Sequence, residues 1–236
     1  WHVIISFITF LEKECFIDES KKNLSFSINI NPITIKNENF VKIMQNLLNE
    51  SKINPERIIL EILEYWSIGD YDKVDEILWE LRRMGIKIAI DDYPSWKNNL
   101  NNITRLKNID IIKIDGVYVI EMFKTCYECD YKNECNKQIS SSNQELYCLR
   151  NMFPDPKNKK DKEVRYKLET FIRSLNFLKL VYPNIKFFAE RVSDENVFNF
   201  LRLSNLISWF QWFYFSEPEI IFNKEVTTQY MDIIKE

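Results

Sequence analysis

The sequence predicts a protein of the α/β class, and a (β/α)8 barrel is its favoured architecture. Short apolar, β-branched runs alternate with longer segments of helical spacing. Turn-forming residues stand at several boundaries between these segments, and a polar or charged residue stands at the C-terminal end of each predicted strand. The strand ends of a barrel converge on one face, whereas an open doubly wound sheet would gather these residues less tightly.

The predicted strands and helices follow one another in alternation. The strands cover residues 24–30, 58–63, 86–90, 109–114, 185–189 and 207–215. The helices cover residues 39–51, 71–84, 97–106, 162–182 and 194–203, and a further helix is expected within residues 1–23. Asn54-Pro55, Gly85 and Tyr182-Pro183-Asn184 supply turn chemistry at the boundaries. Strands alternating with helices pair in parallel through right-handed crossovers.

The composition indicates a single folded domain spanning residues 1–236. Hydrophobic residues make up 45% of the chain, and only three glycines are present, which argues against linkers and disorder. The net charge of -3 arises from 32 basic and 35 acidic residues spread through the chain, so DNA is not an expected partner. The apolar run at residues 3–11 is too short to span a bilayer and no export signal is visible, so we expect a cytoplasmic protein without direct membrane insertion.

Acidic and amide side chains dominate the predicted strand ends. In chain order the residues are Asn29, Glu64, Asp91, Asp92, Lys113, Asp115, Glu190 and Gln211. Converging carboxylates repel one another unless a cation lies among them, which favours divalent metal held by oxygen ligands. Two adjacent aspartates can reach a common centre where a strand ends, and a shared carboxylate suits a two-metal site for phosphodiester hydrolysis.

Each of these residues has an ordinary structural interpretation when it is taken singly. Asp91-Asp92 could cap a helix, and Glu64 could be an exposed strand-end carboxylate. Lys113 could be an interior lysine paired to Asp115, and Gln211 could hydrogen-bond to backbone in a core. Their joint occurrence in strand order favours the site.

Six segments resemble, in order and spacing, the motifs of the EAL family of cyclic di-GMP phosphodiesterases. They are LSFSININP at 24–32, LEILE at 60–64, LRRMGIKIAIDDY at 81–93, IKID at 112–115, FAE at 188–190 and FQ at 210–211. The resemblance implies a TIM-type (β/α)8 barrel that opens cyclic di-GMP to linear pGpG by two-metal-assisted attack of water.

The resemblance also implies a role for each matching residue. The Mg2+ or Mn2+ ligands would be Asn29, Glu64, Asp91 and Asp92, with Asp115 and Glu190 completing the metal and water shell. Lys113 would orient or deprotonate the attacking water, and Gln211 would contact the substrate or the water network. The implied partners are cyclic di-GMP, a second copy in a homodimer, and upstream signalling domains.

The chain departs from the family pattern at several places. Residues 1–23 contain no Glu-Ala-Leu strand, and six strands cannot close an eight-stranded barrel, so we expect a barrel incomplete at its N-terminus, by truncation or by natural reduction. Tyr93-Pro94 begins a stretch where the family has a glycine-rich loop, and Arg191 and Trp212 stand where glycines are expected. These departures favour the alternative function, a catalytically inactive EAL domain that binds cyclic di-GMP or acts as a protein-interaction module.

A cysteine-containing insertion is predicted at residues 120–160. It contains Cys126, Cys129, Cys135 and Cys148 in a C-x2-C-x5-C-x12-C pattern with polar surroundings. Zn2+ in a small structural knuckle is the leading interpretation, and an iron-sulfur cluster is the second. Reduced or disulfide-forming cysteines are a third, although a cytosolic setting disfavours disulfides.

Overall fold

The six predicted strands and most of the predicted helices form in the computed structural model of the chain. The structure describes residues 4, 8, 12, 25–51, 53–63, 70–94, 100–120, 159–192, 198, 201 and 207–211. The strands are β1 (Phe26–Ile30), β2 (Ile58–Ile62), β3 (Lys87–Tyr93), β4 (Ile111–Ile114), β5 (Lys186–Glu190) and β6 (Trp209–Gln211). The helices are α1 (Pro32–Ile35), α2 (Phe40–Glu50), α3 (Tyr71–Arg83), α4 (Leu100–Ile103) and α5 (Lys159–Val181), with a 3₁₀ turn at Pro55–Arg57.

The strands are hydrogen-bonded in sequence order, from β1 to β6. The pairs β1·β2, β2·β3 and β5·β6 are parallel, with Phe26 opposite Ile58, Ile59 opposite Lys87 and Phe188 opposite Trp209. From β1 to β5, helices lie between successive strands along the chain. The prediction of an α/β fold with parallel strands is therefore confirmed.

The chain divides into two compact units. Unit 1 comprises residues 1–91, 105–111 and 219–236, and unit 2 comprises residues 92–104 and 112–218. The boundary passes through β3 between Asp91 and Asp92. The predicted insertion at 120–160, with its four cysteines, lies almost wholly outside the described residues.

Alternating burial builds the core of unit 1. In β1, Ile28 and Ile30 are buried while Ser27 and Asn29 on the opposite face are exposed. Every residue of β2 is buried. The two amphipathic helices bury one stripe each: Phe40, Met44 and Leu47 from α2, and Tyr71, Val74, Leu78 and Leu81 from α3.

Helix α3 has well-defined ends. Asp70 caps its N-terminus by accepting a 3.1 Å hydrogen bond from the Lys73 amide. At its C-terminus Gly85 has φ +98°, its amide donates to the Arg82 carbonyl, and the Ile86 amide donates to the Leu81 carbonyl. This pair of bonds is a Schellman motif, and it confirms the predicted role of Gly85.

Helix α4 ends earlier than the predicted helix at 97–106. It ends at Ile103, and residues 95–99 are not described. Downstream, the Asp75 carboxylate accepts hydrogen bonds from the Lys107 and Asn108 amides at 2.7 and 2.9 Å. These bonds hold the backbone in an extended approach to β4, which explains why the helix does not continue.

The core of unit 2 forms between α5, β5 and the end of β3. Helix α5 buries Phe171, Ile172, Leu175 and Leu178, and β5 buries Phe187 and Ala189. The buried Tyr93 hydroxyl donates a 2.8 Å hydrogen bond to Ser174 Oγ of α5. Within the described part of the chain, no helix is long and apolar enough to cross a membrane.

Candidate functional site

Asp91 and Asp92 lie inside β3 rather than at a helix N-terminus, so the capping interpretation is wrong. Asp91 is buried with 8% of its surface exposed. Neighbouring strand residues normally point to opposite faces, but Asp92 has φ 52°, in the left-handed region. This local turn in the backbone breaks the alternation between the two aspartates.

The two aspartates and Glu190 form an acidic group. One carboxylate oxygen from each of Asp91, Asp92 and Glu190 lies within 4.8 Å of the others. Carboxylate oxygens are the donors that Mg2+, Mn2+ and Ca2+ prefer. The donor set therefore fits a hard divalent cation.

Lys113 is the cation recorded beside this group. Its Nζ lies 2.6 Å from Glu190 Oε1, and the two side chains are 4% and 17% exposed. The interpretation of Lys113 as paired to Asp115 is therefore wrong. The buried ion pair places one positive charge directly against a member of the acidic group.

Asp115 has a structural role after the end of β4. Its Oδ1 accepts a 2.9 Å hydrogen bond from the Val117 amide, and its carbonyl accepts from Tyr118, so it caps the helical residues 116–120. The Asp115 amide donates to the Tyr93 carbonyl at 2.9 Å. Among the described residues, Asp115 is not part of the acidic group.

The backbone of Gln211 is aligned with the acidic group. In the parallel pair β5·β6, Gln211 is the register partner of Glu190. The backbone of Gln211 is therefore level with that of Glu190 across this strand pair. The predicted residues Lys113, Glu190 and Gln211 therefore all come from the strands of unit 2.

Asn29 shares a strand face with a residue that the sequence analysis missed. Glu61 of β2 lies opposite Asn29 of β1 and opposite Ala89 of β3. Ala89 is two residues before Asp91 in β3. Glu61 is buried with 7% of its surface exposed, an unusual state for a glutamate. Only the register between the strands sets Glu61 on the face that carries Asn29 and Asp91, so the sequence of β2 alone gives no signal for it.

Several predicted site residues lie outside the described residues. They are Glu64, Cys126, Cys129, Cys135 and Cys148. The side chain of Gln211 is likewise not described, although its backbone is.

The family model described as "EAL domain" matches residues 3–127, just over half of the 236 residues. The chain belongs to the EAL family. The matched part of this EAL chain ends within the predicted insertion at 120–160.

Relatives and solved structures of the EAL family agree with this assignment. "Cyclic di-GMP phosphodiesterase PdeA" of Borreliella burgdorferi is 37% identical over 94 residues, covering 40% of this chain but only 14% of that much longer protein. The solved EAL domain of Mycobacterium smegmatis DcpA aligns with a TM-score of 0.63 and 18% identity, over 92% of this chain and 78% of that one. At that identity the structural likeness shows the fold.

A further solved structure with a similar fold contains a metal ion. Klebsiella pneumoniae BlrP1, solved as a complex with manganese and cyclic di-GMP, aligns with a TM-score of 0.57 and 20% identity. The alignment covers 89% of this chain and 42% of that one.

Proposed function

We propose that the protein hydrolyses one phosphodiester bond of cyclic di-GMP, giving linear pGpG, with the help of two divalent metal ions. The observation that carries the proposal is the acidic group of Asp91, Asp92 and Glu190 with Lys113 beside it. Family membership supports the same reaction, because relatives of the family are named for it.

The donor set suggests which residues would hold the metals. Asp91, Asp92 and Glu190 offer carboxylate oxygens, and we propose Asn29, Glu64 and Asp115 as further ligands. The metals would be Mg2+ or Mn2+; when bound, they would polarise the scissile phosphate and lower the pKa of water. The manganese complex of a protein with this fold supports the choice.

The lysine and glutamine would act on water and substrate. The Lys113 ammonium donates to Glu190 and is almost fully buried, so its charge is little screened by solvent. We propose that the ammonium orients the attacking water, or that Lys113 takes the proton of that water when it is in its neutral amine form, and that Gln211 contacts the substrate or the water network.

Glu61 is a further proposed metal ligand from unit 1. It is buried on the strand face that carries Asn29, and a buried carboxylate needs a cation or hydrogen-bond donors to offset its lost hydration. Glu64, the ligand predicted from the sequence, is three residues further along the chain.

The test is chromatographic detection of pGpG after incubating the chain with cyclic di-GMP and Mn2+ or Mg2+. We expect metal-dependent product, and we expect Glu61→Gln to lower the rate about a hundredfold or more, because a lost ligand removes several kcal/mol of charge stabilisation. Glu64→Gln tests the sequence-based prediction in the same assay. No product from a folded parent would overturn the proposal.

A non-catalytic role is the second candidate. Arg191 follows Glu190 where the family resemblance leads one to expect a glycine, and it adopts φ 54°. A chain with such altered loops could bind cyclic di-GMP, or a protein partner, without cleaving it. Binding of cyclic di-GMP by equilibrium dialysis without pGpG formation would favour this role.

Further proposals concern parts of the chain outside the described residues. We propose that Cys126, Cys129, Cys135 and Cys148 hold Zn2+, with an iron-sulfur cluster as the alternative, and stiffen the insertion at 120–160. We also propose a homodimer and upstream signalling domains, in a cytoplasmic setting.

A further inference from the structure

Arg191 is held in a backbone conformation that side chains rarely adopt. It directly follows Glu190 at the end of β5, it has φ 54°, and it is exposed. A non-glycine residue in the left-handed region persists only when surrounding contacts hold it there. The contacts of Arg191 therefore bear on the placement of Glu190.

Gly116 provides such a contact. It is buried, and a methyl group built on it would overlap Cβ, Cγ and Cδ of Arg191. The aliphatic part of Arg191 therefore lies directly against the Gly116 backbone. Gly116 does not have positive φ, so glycine is required here for space and not for backbone conformation.

Each partner of this contact is joined to a residue of the proposed site. Gly116 follows Asp115, whose amide bonds to the Tyr93 carbonyl, and Lys113 lies two residues before Asp115. Arg191 follows Glu190, whose Oε1 lies 2.6 Å from Lys113 Nζ. The contact thus joins the segment after β4 to the segment after β5.

We propose that Gly116 and Arg191 are a pair of positioning residues that fix the distance between Lys113 and Glu190. The aliphatic part of Arg191 acts as a spacer of defined thickness, and glycine at 116 is the only residue that leaves room for it. The pair sets where the Glu190 carboxylate lies relative to the other carboxylates of the acidic group. This inference rests on the proposed metal-dependent function.

The experiment measures Mn2+ affinity by isothermal titration calorimetry for four variants of the whole chain. The Gly116→Ala variant should bind Mn2+ at least about tenfold more weakly, because changing a residue that supports a metal ligand typically lowers metal affinity by that factor. Adding Arg191→Gly to it should restore the affinity to within about threefold, because glycine removes every overlapping atom and tolerates positive φ.

The matched control replaces Arg191 by alanine in the same background. Gly116→Ala combined with Arg191→Ala keeps Cβ of residue 191, one of the overlapping atoms, so this variant should stay as weak as Gly116→Ala alone. Arg191→Gly alone introduces no overlap, so it tests the pair even where Gly116→Ala folds poorly, and it should weaken binding about threefold.

A second readout does not depend on metal. In a crystal structure of Gly116→Ala, the distance from Lys113 Nζ to Glu190 Oε1 should exceed the hydrogen-bond range of about 3.2 Å. In the double variant with Arg191→Gly, this distance should return to the parent value of 2.6 Å. Unchanged distances in both would overturn the proposal, as would equal Mn2+ affinity in all variants. A parent that binds Mn2+ but makes no pGpG would overturn the proposed function and leave the positioning test intact.

Discussion

At the scale of single residues, the break in strand alternation at Asp92 is what allows adjacent aspartates to serve one site. The sequence analysis expected this at a strand end, where the backbone turns. The structure shows the turn within β3, because Tyr93 continues the strand after φ 52° at Asp92. Tyr93 is 1% exposed, and its hydroxyl is tied to α5 through Ser174. A buried anchor immediately after Asp92 stabilises the unusual backbone.

Replacing Tyr93 by phenylalanine should remove the hydrogen bond to Ser174 and make the stability of the protein less dependent on pH. Burial, with a smaller contribution from Tyr118, raises the pKa of Tyr93 above 10.0, and the bond to Ser174 opposes the rise. Because its pKa is raised, the contribution of Tyr93 to stability is complete below about pH 10 and is lost as the pH rises through the folded-state pKa. We expect Tyr93→Phe to cost about 1 kcal/mol at pH 8 and to flatten the decline above pH 10.

Urea unfolding of both proteins across pH 8–11 measures this difference. Tyr166→Phe is the matched control, because it removes the hydroxyl of an exposed tyrosine on α5, the helix that carries Ser174. Parallel declines for the parent and Tyr93→Phe would show that another group governs the alkaline limb.

At the scale of elements, local turn and capping residues mark the ends of helix α3, whereas the register between neighbouring strands has no such local signal. The caps at Asp70 and Gly85 lie in or beside the sequence of α3, so period and turn residues could place them. The register of Asn29 against Glu61 depends on how the chain between β1 and β2 packs, which no local pattern encodes. For that reason the sequence analysis identified Asn29 and Asp91 but not Glu61.

Gly85→Ala should destabilise the junction of α3 and β3. Alanine at φ +98° is strained, and its Cβ would lie 3.3 Å from Pro55 Cβ, so we expect a loss of about 1–2 kcal/mol in the free energy of unfolding. Gly85→Asn is the control, because asparagine tolerates the left-handed region better and should cost less. Equal losses by chemical denaturation would show that crowding, not backbone strain, sets the cost.

At the scale of the whole molecule, the acidic group would link the proposed metal binding to folding. Folding brings the carboxylates together against their mutual repulsion, and a ligand that binds only the folded state stabilises it by mass action. For the cysteine insertion, the spacing of the sequence suggests ligands but does not predict how they are arranged.

Mn2+ at about a hundred times its dissociation constant should therefore raise the melting temperature by roughly 5–10 °C, the equivalent of about 2.7 kcal/mol for a chain of this size. Differential scanning fluorimetry with and without a chelator measures the shift. Asp92→Asn should melt at a similar or higher temperature without metal and show a much smaller shift. An equal shift in that variant would place the bound metal elsewhere.

The close fit of Arg191 against Gly116 also constrains the history of the sequence. A lineage that acquired arginine at 191 while position 116 carried a larger residue would have passed through a chain with overlapping atoms. Glycine at 116 therefore had to be present before arginine arrived at 191, or the two had to change together. The contact therefore excludes one order of the two substitutions, the arrival of arginine at 191 before glycine at 116.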